Sequence, residues 1–276
     1  MNRAAHGVRL MCRVYGVAPS GYYAWRRRSR RHPRAMLQLV GAIRRVHQES
    51  GGTYGSPRIH RALRGLGYRC GEHRVARLMR RFGIRARVVR VYRRAPGAHA
   101  FFDSLPNARR TTTPTRVNQI WVADVTALPV DRRRYYLAAV MDLYSRRIVG
   151  WALGAHRDVV LTGRAVRRAL QRRRAPRGLI FHTDRGSEYG AYRYRRLLAR
   201  AGVVQSMNRP RHSEDNNHME SFFHTLKADV VHWTTFRSLA HLRGCLSTYI
   251  DRFYNRRRLH SSLGYRSPEQ YETLHA

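Results

Sequence analysis

The sequence is poor in acidic residues and contains a single lysine, Lys227. Among its 276 residues, 16 are Asp or Glu and 55 are Lys or Arg, which gives a formal net charge of +39. Such a balance is unusual for a free-standing metabolic enzyme and predicts a polyanionic partner, most simply nucleic acid. A coding bias towards Arg would explain many basic residues, but it would not also deplete the acids. We therefore expect nucleic-acid binding that weakens steeply as salt increases.

Paired cysteines and long apolar runs are absent as well. Cys12, Cys70 and Cys245 form no Cys-x-x-Cys pair, which argues against a disulfide framework and against a cysteine-rich zinc site. No apolar run approaches the roughly 18 residues of a membrane-spanning helix, and the basic first residues lack the apolar segment of a signal peptide. We expect a reducing, cytoplasmic setting at the nucleoid and no membrane partner.

What is present divides the chain into five predicted segments. They are a basic, aromatic arm (1–34), a helical module (35–95), a linker (96–116), a core (117–235) and a C-terminal helix with a basic tail (236–276). Aromatic residues beside arginines suit the stacking and phosphate contacts of a nucleic-acid surface. Alternatively, the aromatic residues of the arm pack on the rest of the protein.

The helical module has the pattern of a helix-turn-helix. Three short helices are predicted, and a glycine-containing turn at residues 65–71 separates the last two. Leu66 is expected to point inwards with the apolar residues of the second helix. Four arginines are predicted on the solvent side of the last helix: Arg74, Arg77, Arg80 and Arg81. The module is either a DNA contact or a packing module with a solvated basic face.

The core has the pattern of an α/β domain. Three strands at hairpin spacing predict an antiparallel meander, at residues 119–128, 135–141 and 148–153. After them the period changes, and helices alternate with strands at residues 159–173, 178–183, 189–200, 203–206 and 216–231. The predicted order is therefore β-β-β-α-β-α-β-α, and a further amphipathic helix follows at residues 236–255.

Three carboxylates stand out by position. Asp124 lies in the middle of an apolar strand, where its charge is costly unless it binds something. Asp184 ends the fourth strand, and Glu220 lies on the helix at 216–231. Hard divalent cations prefer such oxygens, and two metals held by shared carboxylates suit phosphoryl transfer. The alternatives are that Asp184 caps the next helix and that Glu220 is a surface residue paired with His224.

The helix that carries Glu220 has two stripes. Its apolar stripe consists of Met219, Phe222, Phe223 and Leu226. Glu220, His224 and Lys227 share a polar face, where Lys227 is placed to reach a DNA phosphate as a point charge. A solvated lysine is the alternative. We also take His224 and Arg185, which follows Asp184, as candidate DNA contacts.

These motifs occur together in one family. The chain resembles the OrfB-type transposases of bacterial insertion sequences, in the group named after insertion sequence three, which is similar to retroviral integrases. The most specific matches are WVADVT (121–126), HTDRGSEY (182–189) and MESFFHTLK (219–227). Further matches are residues 16–25, 53–59, 74–79, 254–260 and 263–268, so that the resemblance covers nearly the whole length.

The resemblance implies an RNase H-like mixed five-stranded sheet with flanking helices, preceded by a small all-α helix-turn-helix-like module. It implies a DDE polynucleotidyl transferase in which Asp124, Asp184 and Glu220 hold two Mg²⁺ or Mn²⁺ ions. Lys227 would help to hold the transposon end. Double-stranded DNA, both element ends and target, would be the substrate of a homo-oligomer. An upstream OrfA-type protein would be the main end-recognising partner.

The chain departs from the family pattern in two places. Ala123 replaces the usual Thr before the first Asp, and the loop at residues 209–215 lacks the usual Gly-Asn version. Ala123 faces the other side of its strand, so we expect little effect there. The changed loop bears on target contacts or activity. Two other functions fit the composition: a non-catalytic DNA-binding regulator or decayed transposase copy, and a structure-selective nuclease on the same core.

Overall fold

The computed structural model describes residues 7–30, 33–87, 107, 112–209 and 213–275. The chain divides into two compact units, residues 1–86 and 87–276. Most of the predicted linker, 96–116, lies outside the described residues.

The described part of the first unit is helical. Its helices are α1 (Val8–Val14), α2 (Pro19–Arg30), α3 (Pro33–Glu49), α4 (Ser56–Gly65) and α5 (Glu72–Arg81). Ile59, Leu63 and Val75 are fully buried where α3, α4 and α5 pack together, as the apolar pattern predicts. The prediction for Leu66 is wrong: this residue is 58% exposed. Its apolar spacing continues that of α4, but α4 ends at Gly65, so Leu66 turns to solvent.

The second unit is built on a mixed five-stranded sheet. Its strands are β1 (Ile120–Val130), β2 (Arg133–Asp142), β3 (Ile148–Gly154), β4 (Ile180–Thr183) and β5 (Val204–Met207). The spatial order is β3-β2-β1-β4-β5, with β2 antiparallel to both β1 and β3. β4 lies parallel to β1, and β5 lies parallel to β4. This is the predicted RNase H-like fold.

Helices flank the sheet in the predicted order, with three differences. The helices are α6 (Val159–Arg173), α7 (Ser187–Gly190), α8 (Tyr192–Arg200), α9 (Asn217–Asp229), α10 (Leu239–Ser247) and α11 (Pro268–Leu274). The predicted helix 189–200 is broken because Ala191 is extended, with φ −59° and ψ 136°. The predicted helix 236–255 begins only at Leu239 and continues as a π-helix over Thr248–Tyr254.

The third difference is α11, which was predicted as part of a basic tail. A capping box of Ser267 and Gln270 starts this helix. Its Glu272 carboxylate lies between the end of α6 and the β2–β3 turn, where it accepts hydrogen bonds from Arg173 at 2.8 Å and from Arg147 at 2.6 Å. The tail therefore folds onto the sheet through a buried charge network that local sequence does not reveal.

The two faces of the sheet have separate cores. Alternate β1 residues Ile120 and Val122 pack with Phe222 and Phe223 of α9 and with α10, on what we call the α9 face. The intervening β1 residues pack with α6 and α8, on the α6 face. Because side chains alternate along a strand, Asp124 belongs to the α9 face.

Candidate active site

Asp124 and Asp184 come from neighbouring parallel strands. Ala123 of β1 is in register with Thr183 of β4, and each aspartate follows directly after these paired residues. Asp124 is half-buried on the α9 face, and its Oδ1 accepts a hydrogen bond from Val125 N at 2.6 Å. The pairing therefore sets the two carboxylates side by side at the carboxyl end of β4, where α/β sheets commonly bind ligands.

Asp184 does not act as the N-cap of the following helix. The N-cap of α7 is Gly186, which makes no side-chain cap, whereas Asp184 Oδ1 accepts from Gly186 N at 3.1 Å. The other oxygen, Oδ2, lies 3.4 Å from Arg157 Nη2. The Asp184 side chain is 34% exposed, so its carboxylate is accessible at the carboxyl end of β4, in what we call the crevice, and does not cap a helix.

A buried histidine fixes the strand that carries Asp184. His182 is fully buried, with Nδ1 2.9 Å from Ser206 Oγ and Nε2 2.7 Å from Asn208 Oδ1. These contacts join the ends of β4 and β5. Arg185 Nε adds a bond of 2.6 Å to the Asn208 carbonyl. The predicted DNA contact Arg185 is therefore half-buried and tied to the sheet through its Nε.

Helix α9 is held on the Asp124 side of the sheet. Met219, Phe222, Phe223 and Leu226 are all buried, which confirms the apolar stripe. At the start of the helix, Asn216 Nδ2 donates to the carbonyl of Ala123, next to Asp124, at 3.1 Å. Glu220 lies one turn further along the same side and is exposed. The helix is thus anchored to the backbone beside the first aspartate.

The three predicted carboxylates are not equally close. The structure brings Asp124 and Asp184 together and places Glu220 on the helix that covers the same sheet face. Among the described residues, no group of three or more His, Cys, Asp and Glu side chains is arranged to hold a metal ion. The role of Glu220 as a third ligand therefore stays a prediction.

Two residues of this crevice escaped sequence reasoning. Glu188 of α7 is buried, with 4% of its side chain exposed, and accepts a hydrogen bond from Arg157 Nε at 2.7 Å. Arg157, in the β3–α6 connection, thereby contacts both Glu188 and Asp184. Two sequence features could have indicated a role for Glu188: acidic residues are scarce in this chain, and Glu188 lies four residues after Asp184 in the same motif. No local pattern pointed to Arg157.

Electrostatics link these groups. Burial raises the pKa of Asp184 above its usual range, while Arg157 opposes the rise and Glu188 adds to it. Burial alone would lower the pKa of Arg157, but the hydrogen bond to Glu188 and the charges of Glu188, Asp184 and Asp124 raise it. Arg157 therefore contacts Glu188 and Asp184 directly and also feels the charge of Asp124.

The residues present suit a hard divalent cation. Asp124 and Asp184 supply adjacent carboxylate oxygens. Asn216 Oδ1 is buried and has no hydrogen-bond partner among the described residues, although its Nδ2 is bonded next to Asp124. A buried acceptor of this kind fits a metal-bound or ordered water.

The remaining predicted DNA contacts lie on helix surfaces. Lys227 is half-buried in the last turn of α9, and His224 on the same helix is exposed. Arg74 and Arg77 are exposed on α5 of the first unit, as predicted. All four lie outside the buried apolar stripe of their helix.

The loop before α9, which departs from the family pattern, closes on itself. Asp215 accepts from Arg209 N at 3.1 Å and from the Arg209 guanidinium, and also from Asn107 Nδ2 at 2.7 Å. Burial would raise the pKa of Asp215, but the hydrogen bonds from Arg209 outweigh it and lower that pKa. The residues between, 210–212, lie outside the described part of the chain.

Family models match both units. Two models of the integrase core domain match residues 114–213 and 201–268, and a model of an HTH-like domain matches residues 36–92. Within the described residues, no helix is long and apolar enough to span a bilayer.

Two relatives match almost end to end. The chain is 37% identical over 265 residues to an uncharacterized 31 kDa protein of insertion element IS600 from Shigella sonnei, covering 95% of this chain and 97% of that protein. It is 36% identical over 282 residues to transposase InsF for insertion sequence IS3A from Escherichia coli (strain K12), covering 98% and 96%.

Solved structures of low identity are also similar. One is the HTLV-2 integrase catalytic core domain in complex with magnesium (dimeric form), at 17% identity and a TM-score of 0.41, over 58% of this chain and 99% of that one. Another is the catalytic core domain of BIV integrase, at 16% identity and a TM-score of 0.42, over 57% and 95%.

Proposed function

The chain belongs to the IS3-type insertion-sequence transposases with an integrase core domain, and from this premise we propose that it is a metal-dependent DDE strand transferase. It would cleave DNA at the 3′ ends of its element and join the freed 3′-OH groups to target DNA. The observation that carries the proposal is the register of β1 and β4, which sets Asp124 beside Asp184, with α9 on the same face.

The proposed metal ligands are Asp124, Asp184 and Glu220, with two Mg²⁺ or Mn²⁺ ions between them. Bound metal would stabilise charge on the attacking and leaving oxygens of an in-line displacement. The chain's own contribution is positioning. The bond from Asn216 to Ala123 holds α9 at the strand, and the exposed Glu220 side chain on this helix would complete the site.

DNA would be held largely by arginines. The net charge of +39 supports phosphate contacts that dominate affinity. Lys227 and His224 share the Glu220 side of α9, so they would contact the duplex near the reacting phosphate. Arg185 would act beside Asp184, and Arg74 and Arg77 would contact DNA from the helix-turn-helix-like module.

The proposal includes an assembly. Two element ends must be paired, so we expect a homo-oligomer on DNA, working in the cytoplasm. An OrfA-type protein, as a partner or as a fusion, would supply the main end recognition.

A strand-joining assay tests the proposal. The substrate is a duplex carrying the inverted repeat that flanks the gene, with Mg²⁺ and a target plasmid. We expect the wild type to join strands and Asp184→Asn and Glu220→Gln to lose joining while still shifting the duplex in a gel. Asp131→Asn, in the exposed β1–β2 turn, is the matched control and should stay active. If the wild type and every variant bound DNA without joining strands, the result would favour a non-catalytic DNA-binding regulator. If the wild type hydrolysed DNA without joining strands, the result would favour a structure-selective nuclease.

A further inference from the structure

Arg157 contacts Asp184, one of the proposed metal ligands. Its Nη2 lies 3.4 Å from Asp184 Oδ2, and its Nε lies 2.7 Å from Glu188 Oε1. The shorter contact is to Glu188, so the guanidinium is held mainly by the buried acid and only loosely by the exposed one. A cation that binds Asp184 must therefore approach a positive charge that is already there.

Glu188 is buried and has a charge partner. Its carboxylate is buried directly beneath the turn that follows Asp184, since a Cβ on Gly186 would lie 2.7 Å from Glu188 Oε1. A buried carboxylate is costly unless it is paired. Arg157 provides that pair, and the bond is charge-assisted and short.

We propose that Arg157 and Glu188 form a built-in regulator of metal affinity, in which Arg157 competes with the metal for Asp184 and Glu188 draws Arg157 away. Arg157 is thus a positioning residue that occupies Asp184 in the metal-free protein, and Glu188 is the residue that receives it. The inference rests on the proposed function, because it assumes that Asp184 binds the metal.

The proposal predicts opposite effects for two neutral substitutions. Arg157→Gln removes the competing charge, so Mn²⁺ should bind about tenfold more tightly, the size expected when a unit charge beside a divalent ion is removed in a hydrated site. Glu188→Gln leaves Arg157 without its stronger partner, so Arg157 should close on Asp184 and Mn²⁺ should bind several-fold more weakly. A purely structural pair would give weaker binding in both variants.

A double-mutant cycle separates this mechanism from simple charge addition. If Glu188 acts through Arg157, then Glu188→Gln should weaken Mn²⁺ binding by a smaller factor in the Arg157→Gln background than in the wild type. Two independent charges would give the same factor in both backgrounds. Arg157→Lys keeps the charge but not the two-pronged contact, and its affinity should remain closer to the wild type than that of Arg157→Gln.

The experiment is a titration of the full chain with Mn²⁺. Binding is measured by calorimetry and by the loss of the free Mn²⁺ signal in electron paramagnetic resonance. Thermal unfolding without metal checks that each variant is folded. Opposite shifts with a non-additive cycle support the proposal, and shifts of the same sign or an additive cycle overturn it. If Arg157→Gln does not fold, the cycle is run with Arg157→Lys: a smaller weakening by Glu188→Gln in the Arg157→Lys background than in the wild type supports the proposal, and an equal weakening overturns it.

Mn²⁺ binding by Asp184→Asn distinguishes a failure of this inference from a failure of the proposed metal site. If the wild type binds Mn²⁺, Asp184→Asn does not, and the Arg157 and Glu188 variants match the wild type, only this inference fails. If Asp184→Asn binds Mn²⁺ as well as the wild type does, the proposed metal site fails, and this inference fails with it.

Discussion

Gly150→Ala tests how the sheet is packed. Gly150 lies in β3, opposite Val140, and α6 packs directly on it. A Cβ at this position would lie 2.8 Å from Ala169 N and 2.8 Å from Ala169 Cβ, and closer still to the carbonyl oxygen of Ala165. Two of these atoms are helix backbone, so the whole of α6 would have to move away from the sheet.

The expected cost follows from this geometry. Overpacking a core by one methyl group costs about 1–3 kcal/mol, and we expect the upper end because rigid backbone blocks the added atom. In a domain of this size, ~1 kcal/mol lowers Tm by about 2–4 °C, so the fall should be roughly 6–12 °C. Gly163→Ala on α6 is the matched control. Its Cβ would approach only the Arg167 side chain, at 3.6 Å, and Ala favours a helix by about 1 kcal/mol over Gly.

Thermal unfolding followed by circular dichroism measures both variants. Gly150→Ala should lower Tm, and Gly163→Ala should leave it unchanged or raise it by a few degrees. An unchanged Tm for Gly150→Ala would refute the close approach of α6 to β3. Equal losses in both variants would mean that α6 tolerates no added methyl, whatever it faces.

Three further predictions concern other parts of the second unit. Glu272→Gln should destabilise the protein by about 1–3 kcal/mol at neutral pH, because Arg173 then keeps only its longer contact to Asp142, at 3.7 Å. Burial would raise the pKa of Glu272, but Arg173 and its neighbours lower it below the ordinary 4.5, so this stabilisation is present above that pH and is lost as pH falls through the lowered pKa. Asn216→Ala should weaken Mn²⁺ binding by roughly 10–100-fold, because the bond to Ala123 positions the Glu220 helix. Lys227→Gln should weaken DNA binding about equally for all sequences and reduce the slope of log affinity against log salt by about one.

Each of these has a distinct contradicting result. For Glu272, it is a Tm that falls with acid as steeply in the Gln variant as in the wild type. For Asn216, it is wild-type Mn²⁺ affinity in a folded Ala variant, which would make the side chain structural only. For Lys227, it is an unchanged salt slope, with Lys227→Arg as the control that keeps the charge.

Much of the fold follows from local pattern. Alternation along β1 predicts both cores of the sheet, and the apolar stripe of α9 predicts which helix side is buried. Which helix covers which face came only with the structure, which puts Asp124 on the α9 face. The same reasoning failed at Leu66, because an apolar spacing does not reveal that the helix stops one residue earlier.

The remainder depends on contacts distant in sequence. The α11 helix is short, and it is held by Glu272 against Arg147 and Arg173, which lie about a hundred residues away. The pair of Arg157 and Glu188 likewise forms only when the β3–α6 connection meets α7. Local sequence propensity does not predict either ion pair. Because arginines are so numerous, the sequence also does not indicate which of them have an acidic partner.

The most direct test of the account is the position of bound metal. Crystals of the protein with Mn²⁺, with and without DNA, would give an anomalous-difference peak at each ion. The account predicts at least one peak between Asp124 and Asp184, with the Glu220 carboxylate turned towards it. Peaks elsewhere only, or a peak that leaves Glu220 in solvent when DNA is bound, would contradict it.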